Sequence, residues 1–184
     1  MGGRRSSQLS EAMRLRRFLR FSRRFEKSNI RGYVLDVGPR FFILSLVSDR
    51  IRFDGFECFR VADVKNIAPD PYHEFVESAL RRREERRPQK PRVSVKSMED
   101  LVLSAGRAFP LVTIHREQVD PDVCWIGRVL GVGRGHVSLL EINPDATWDE
   151  NPNEFKISEI TRVNFGGDYE NALFLVGGDP PSIA

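Results

Sequence analysis

The sequence is short of the residues that mark several large classes of protein. Among 184 residues there are two cysteines, Cys58 and Cys124, too few for a disulfide framework and not spaced for zinc. No apolar run approaches the roughly 18 residues that a membrane-spanning helix needs. The basic, Ser-rich amino terminus has no apolar core segment, so no secretory signal is indicated. We therefore expect a cytoplasmic protein with reduced thiols and no membrane partner.

Residue patterns that carry catalysis are also scarce. The three histidines, His73, His115 and His136, have no Cys, Asp or Glu partners at metal-ligand spacing. A nucleophilic role for Cys124 requires a neighbouring His that the sequence does not indicate. The glycine-rich stretch 131–135 is not followed by a helical pattern, so it is not a phosphate loop. We predict that the protein is not an enzyme and has no cofactor, no metal and no small-molecule ligand.

What is present is a duplication. Residues 29–67 and 124–165 align at an offset of 95 that becomes 96 after one insertion, with an apolar period near two. Gly32 matches Gly127, and Phe53-Asp54 matches Trp148-Asp149. The ordered string Phe-basic-aliphatic-x-acidic-aliphatic occurs in both copies, which chance alone does not readily produce. We predict one unit of about five short strands, present twice. The repeated aromatic-Asp pair is interpreted as an aromatic plug with a turn, or alternatively as a site.

Helix signals surround each copy. Ser10 is predicted to cap a helix after a disordered segment 1–7, and a helix from about Tyr72 is predicted to carry one apolar face, made of Tyr72, Phe75, Val76, Ala79 and Leu80. Asp54-Gly55 predicts a two-residue hairpin turn, and Ser97 a helix cap. The predicted domains are 1–83 (helix, strands and trailing helix), a basic linker 84–96, and 97–184.

A helix followed by five bent antiparallel strands resembles the barrel of the Sm and Lsm family. The residues that carry the resemblance are 126–131 (Ile-Gly-Arg-Val-Leu-Gly), 137–139 (Val-Ser-Leu) and 155–157 (Phe-Lys-Ile) with Ile160 and Val163. The resemblance covers roughly residues 111–165, and more faintly 19–67. It implies a mainly β, α+β protein of two tandem Sm-like five-stranded barrels, with RNA as a candidate partner. The family's nucleotide-holding Asp-x-x-Met-Asn and Arg-Gly patterns are absent from both copies, and a generic SH3-like barrel is the alternative.

Charge is divided unevenly along the chain. Residues 1–96 carry 23 Lys/Arg and 12 Asp/Glu, whereas residues 97–184 carry 6 and 14. The basic residues concentrate in 1–31 and 81–96, where an anionic partner is expected to bind. Phe18, Phe21 and Phe25 interleave with the first set and are predicted to face the core rather than stack on bases. The predicted nucleic-acid-binding residues are Arg20, Arg23, Arg24, Arg31, Arg81, Arg82, Arg83, Arg86 and Arg87.

Two functions follow from these patterns. The leading hypothesis is a non-catalytic RNA-binding or RNA-associated Sm-like protein that uses its basic first half. The alternative is a protein-interaction or scaffold module without nucleic acid, which assembles as a homo-oligomer through strand edges and charge complementarity.

Overall fold

The chain forms two compact units, Met1–Lys90 and Pro91–Ala184. The structure is a computed structural model that describes residues 2–26 and 28–181. The boundary between the units lies inside the basic segment 84–96. We refer to the two parts as unit 1 and unit 2.

Unit 1 is an antiparallel sheet between two helices. In chain order its elements are α1 Gly2–Arg14, β1 Phe18–Arg23, β2 Ile30–Val37, β3 Phe41–Val47, β4 Phe53–Arg60, a 3-10 turn Val61–Asp63, β5 Val64–Pro69 and α2 His73–Arg82. The strands lie in the order β5-β1-β2-β3-β4.

Unit 2 repeats this order of elements. It contains α3 Met98–Ala108, β6 Val112–His115, β7 Cys124–Gly133, β8 His136–Glu141, β9 Asn153–Lys156, a 3-10 turn Ile157–Glu159, β10 Arg162–Phe165 and α4 Asp168–Gly177. Its strands lie in the order β10-β6-β7-β8-β9. The predicted α+β, mainly β class is confirmed, and the two units share one strand order.

The sheet of unit 1 is curled. Its outermost strands, β4 and β5, are joined only by the turn Val61–Asp63. In a flat five-stranded sheet these strands would lie about 19 Å apart, at ~4.8 Å per strand. A three-residue 3-10 turn advances only about 2 Å per residue. The sheet must therefore bend so that the end of β4 comes close to the start of β5. β5, the last strand of unit 1 along the chain, then pairs with β1, the first.

The inner side of this curl is filled by aromatic rings. Phe21 lies 5.4 Å from Phe42 and 5.2 Å from Phe59 between ring centroids, with tilts typical of edge-to-face contacts. Leu9 and Ala12 of α1 close the same cluster. Burial of Phe21 at 1% exposure confirms the prediction that this ring faces the core.

One prediction about a helix is wrong, and another is confirmed only in part. The segment 1–7 was expected to be disordered, but α1 begins at Gly2 and Ser10 lies inside it; Met1 is outside the described residues. Propensity alone does not favour a helix at Gly2-Gly3, but Leu9 is fully buried against the sheet. The helix predicted from about Tyr72 begins at His73, and its apolar face is buried only in part: Val76 and Leu80 are buried, whereas Tyr72 and Phe75 are more than 60% exposed.

The predicted hairpin at Asp54-Gly55 is wrong as well. Both residues lie inside β4, where the register shifts so that Val47 pairs with Phe53 and Ser45 with Phe56. Gly55 has a positive φ of 68°, which suits a bulge as well as a turn. The chain reverses instead at residues 48–52, where the Ser48 N–H donates to the Arg52 carbonyl at 3.0 Å.

Other local predictions are confirmed. The Ser97 hydroxyl accepts a hydrogen bond from the Asp100 N–H at 3.0 Å, which is the expected N-cap of α3. The matched glycines lie at the closest approach of neighbouring strands. A Cβ at Gly32 would collide with the Ser45 carbonyl oxygen, and one at Gly127 with the Leu140 carbonyl oxygen.

We predict that Gly127→Ala lowers the free energy of unfolding by about 2–3 kcal/mol, because backbone must move to admit the methyl group. Gly131→Ala in the same strand is the control, since a Cβ there meets nothing within 4 Å; its effect should stay within about 0.5 kcal/mol. Urea titration of both variants measures the difference. Equal midpoints for the two variants would contradict the packing argument.

Candidate functional site

The predicted arginines near β1 have different surroundings. Arg23 is completely buried, its Nε donates to both carboxylate oxygens of Glu26 at 3.1 and 3.0 Å, and its guanidinium lies 4.5 Å from the Phe59 ring centroid. A phosphate contact from Arg23 would require this buried pair to separate. Arg24 forms an ion pair with Asp63 at 2.8 Å and is half-exposed.

Arg20 and Arg31 share one face of the sheet with Tyr33. In the β1–β2 pairing Arg20 lies opposite Arg31, and Phe18 lies opposite Tyr33. Residues two apart on a strand point to the same side and are separated by about 7 Å. The Arg31 guanidinium also contacts Asp49 at 2.7 Å. Two positive side chains therefore continue the sheet face that carries the Tyr33 ring.

The other predicted arginines, 81–83, 86 and 87, lie at the end of α2 and just after it. Arg81, Arg82, Arg86 and Arg87 are exposed. Arg83 donates from Nη1 to the carbonyls of Arg50 and Ile51 at 2.6 and 3.0 Å, which ties the end of the helix to the turn between β3 and β4. After α2 the chain returns to β2, where Arg87 lies over the Tyr33 ring and Lys90 forms an ion pair with Asp36 at 2.7 Å.

A shallow cavity of about 280 Å³ opens where these elements meet, and we call it the Tyr33 cavity. Its lining residues are Tyr33, Phe53, Glu77, Leu80, Arg81, Glu85 and Arg87. Two of the predicted nucleic-acid-binding arginines, Arg81 and Arg87, thus meet at one site. Phe53, half of the repeated aromatic-Asp pair, lies in the same wall.

Tyr33 forms the floor of the cavity. Its hydroxyl donates to Glu77 Oε1 at 3.0 Å, and the Arg87 guanidinium covers its ring at 3.5 Å from the centroid. Burial, followed by the hydrogen bond to Glu77, raises the pKa of Tyr33 to about 12. The phenol therefore remains a hydrogen-bond donor at neutral pH, and it fixes the position of the Glu77 carboxylate.

Sequence reasoning missed Tyr33, Glu77 and Glu85. Tyr33 and Glu77 are separated by 44 positions, and their contact depends on how α2 lies on the sheet. One signal was available, because Glu77 and Arg81 are four residues apart and so lie on one face of α2.

The matched position in unit 2 is built differently. Trp148, which matches Phe53, donates from its indole N–H to the Gly177 carbonyl at 3.3 Å and packs beside Ile142 and Leu173 under α4. Arg128 of β7 forms an ion pair with Asp179 at 2.7 Å. Phe53 and Trp148 both pack against residues of a trailing helix, but Asp54, which the plug interpretation placed in a turn, lies inside β4.

His115 and Cys124 lie directly opposite one another in the β6–β7 pairing. The sequence did not indicate this His neighbour. Cys124 is exposed, yet partial desolvation by its neighbours raises the pKa of its thiol, which disfavours the nucleophilic thiolate. Burial likewise raises the pKa of Cys58 well above its ordinary value. Across residues 2–26 and 28–181, no group of three or more His, Cys, Asp or Glu is placed to hold a metal ion.

Comparison with protein-family models, with curated proteins and with solved structures found no match to this chain. Within the described part of the chain, no helix has the length and apolar character needed to cross a membrane.

The Tyr33 phenol gives a pH-dependent prediction. Its folded pKa of about 12 lies above the unfolded value of ~10, so the protonated phenol stabilises the fold fully below about pH 10. This stabilisation is lost as the pH rises through about 12. We expect the difference in unfolding free energy between the unaltered chain and Tyr33→Phe to shrink across that window, as measured by denaturant titration. A difference that stays constant with pH would contradict the burial of this phenol.

Proposed function

We propose that this chain is a non-catalytic, Sm-like protein that binds single-stranded RNA through unit 1. The observation that carries the proposal is the convergence of Arg81 and Arg87 on the Tyr33 cavity. Single-stranded nucleic acid is typically held by a basic surface that tracks phosphates and by flat groups on which bases stack. The Tyr33 cavity offers both.

Charge along the site supports a phosphate track. Arg20 and Arg31 extend the sheet face on one side of Tyr33, and Arg82 and Arg86 lie exposed on α2 and just beyond it. Arg31 lies two positions from Tyr33 in β2, about 7 Å along the strand, so the arginine pair can contact a backbone group next to a base bound at the cavity. We exclude Arg23 from the proposed interface, because its buried guanidinium forms an ion pair with Glu26.

The stack on Tyr33 supports base binding. The Tyr33 ring is only 2% exposed, so a base does not reach it directly. The Arg87 guanidinium covers that ring and is itself exposed. Bases stack on guanidinium planes as well as on aromatic rings, so the free face of Arg87 is the proposed platform.

The Sm-like part of the proposal is supported by the architecture. Each unit places a helix before five antiparallel strands, and the short turn Val61–Asp63 requires a strongly curled sheet. The family's nucleotide-holding patterns are missing from the turns of both copies. We therefore place the RNA contacts beside α2 and not in those turns.

A second candidate function is assembly without nucleic acid. Among residues 2–26 and 28–181, β5 pairs only with β1 and β9 pairs only with β8. Each of these strands has one edge available to another chain. The basic excess of residues 1–96 and the acidic excess of 97–184 favour contact between unlike halves of two copies.

The RNA proposal predicts a specific salt dependence. We expect Arg82→Gln/Arg86→Gln to weaken binding of a uridine oligonucleotide, and to reduce the slope of log K against log salt by ~1.4, or ~0.7 for each lost phosphate contact. Arg82 and Arg86 are chosen because both are exposed and neither is among the lining residues of the Tyr33 cavity. Fluorescence anisotropy at several salt concentrations measures the slope.

The matched control is Lys96→Gln/Arg107→Gln, which removes two exposed charges from unit 2. An equal loss for both double variants would show a diffuse charge effect and would contradict the proposed site. Deleting residues 1–17 is not a suitable test, since it would remove Leu9 and Ala12 from the core.

The assembly candidate predicts a concentration-dependent mass. Light scattering after size exclusion should show oligomers at low salt that dissociate as salt is added, because attraction between exposed charges is screened. A constant monomer mass at every salt and protein concentration would exclude charge-driven assembly.

A further inference from the structure

The Tyr33 cavity contains two carboxylates that phosphate binding does not explain. Glu77 and Glu85 line the same wall as Arg81 and Arg87. A carboxylate repels a phosphate group, so a site that only tracked the backbone would be better without either glutamate. Each has one partner within the fold, the Tyr33 hydroxyl for Glu77 and the Arg52 guanidinium for Glu85, and a ligand with hydrogen-bond donors can use the acceptor positions that remain.

Glu77 is the better placed of the two. The Tyr33 hydroxyl holds one of its oxygens at 3.0 Å, and the helical backbone of α2 fixes its Cα. A carboxylate has about four acceptor positions, so one hydrogen bond from Tyr33 leaves acceptor capacity toward the cavity. Glu85 instead lies 3.9 Å from Arg52.

The bases differ in what they offer a carboxylate. Guanine presents two adjacent donors, N1–H and the N2 amino group, beside the O6 acceptor. Adenine places an acceptor at N1, and uracil has a single N3–H flanked by two carbonyl oxygens. Cytosine has only its N4 amino donor beside the N3 acceptor, so two parallel hydrogen bonds to one carboxylate are available to guanine alone among the four RNA bases. Bidentate contacts of this type are the ones that distinguish bases most strongly.

Arg81 supplies the complementary donor. It follows Glu77 by four residues in α2 and lines the same cavity. Side chains at this spacing are neighbours on a helix surface. An acceptor and a donor side by side match the donor-donor-acceptor order of the guanine edge.

We propose that the Tyr33 cavity selects guanine in single-stranded RNA, with the base stacked on Arg87, its N1–H and N2 amino group donating to Glu77, and Arg81 donating to O6. This inference rests on the proposed RNA-binding function. The Tyr33 hydroxyl acts here as a positioning group, since it orients Glu77 without touching the base.

The test compares short uridine oligonucleotides that carry one central guanosine, adenosine or inosine with uridine alone. By anisotropy at low salt, guanosine should bind about tenfold more tightly than adenosine or uridine. Inosine, which lacks the N2 amino group, should fall between them. Glu77→Gln should reduce the guanosine preference to about twofold or less, because an amide offers one acceptor oxygen and a donor in place of two acceptors.

Glu74→Gln is the matched control: Glu74 lies on α2, is exposed and is not among the cavity's lining residues. It should keep the full preference. Circular dichroism and thermal melting would verify that Glu77→Gln is folded, and the inosine comparison tests the amino-group contact without any substitution.

The outcomes separate the two proposals. Binding of all four oligonucleotides with equal affinity overturns guanine selection and leaves RNA binding standing. Failure to bind any of them at low salt overturns RNA binding itself. A guanosine preference that survives Glu77→Gln but is lost in Glu85→Gln overturns the assignment of Glu77.

Discussion

The three-residue turn between β4 and β5 is the constraint on which unit 1 depends. It joins strands at opposite ends of the sheet, so the sheet curls until β5 pairs with β1. The Arg24 N–H donates to the Asp63 carbonyl at 3.3 Å, and the Arg24 guanidinium binds the Asp63 carboxylate, which together hold this corner. Curling gives the sheet an aromatic inner side, filled by Phe21 and its neighbours, and an outer side on which α2 rests. The Tyr33 cavity exists because an α2 side chain, Glu77, meets the outward ring of Tyr33.

Much of the fold was predictable from local patterns. The apolar alternation within residues 124–165 indicated a run of short strands, where β7 to β10 lie, and Ser97 located the start of α3. Asp54-Gly55 misled because a glycine with positive φ serves both a hairpin turn and a bulge, and only the pairing of Val47 with Phe53 distinguishes them. The start of α1 was not predictable, since Gly2 and Gly3 do not favour a helix. Burial of Leu9 stabilises this helix, and that contact is not visible in the local sequence.

The candidate site was predictable only in part. A cluster of arginines after α2 was evident in the sequence, but nothing local indicated that Arg87 would return to cover Tyr33, 54 positions earlier by residue number. The phenylalanines near β1 were predicted to face the core, and Arg23 between them was predicted to bind nucleic acid. In the structure Arg23 turns inward to Glu26, since its guanidinium finds a carboxylate and the Phe59 ring there. Charge counts predict where an anion is attracted, whereas the partners of each side chain decide which charges remain available.

The stack of Arg87 on Tyr33 also has an entropic consequence. A free arginine side chain loses up to about 2 kcal/mol of rotamer entropy when it is fixed. In this chain Arg87 is already held over the ring at 3.5 Å, and its Nη1 donates to the Arg16 carbonyl at 3.4 Å. This loss of rotamer entropy therefore belongs to the free energy of folding and does not oppose ligand binding. The platform is preorganised, so a ligand that stacks on it gains the contact without having to immobilise the side chain that provides it.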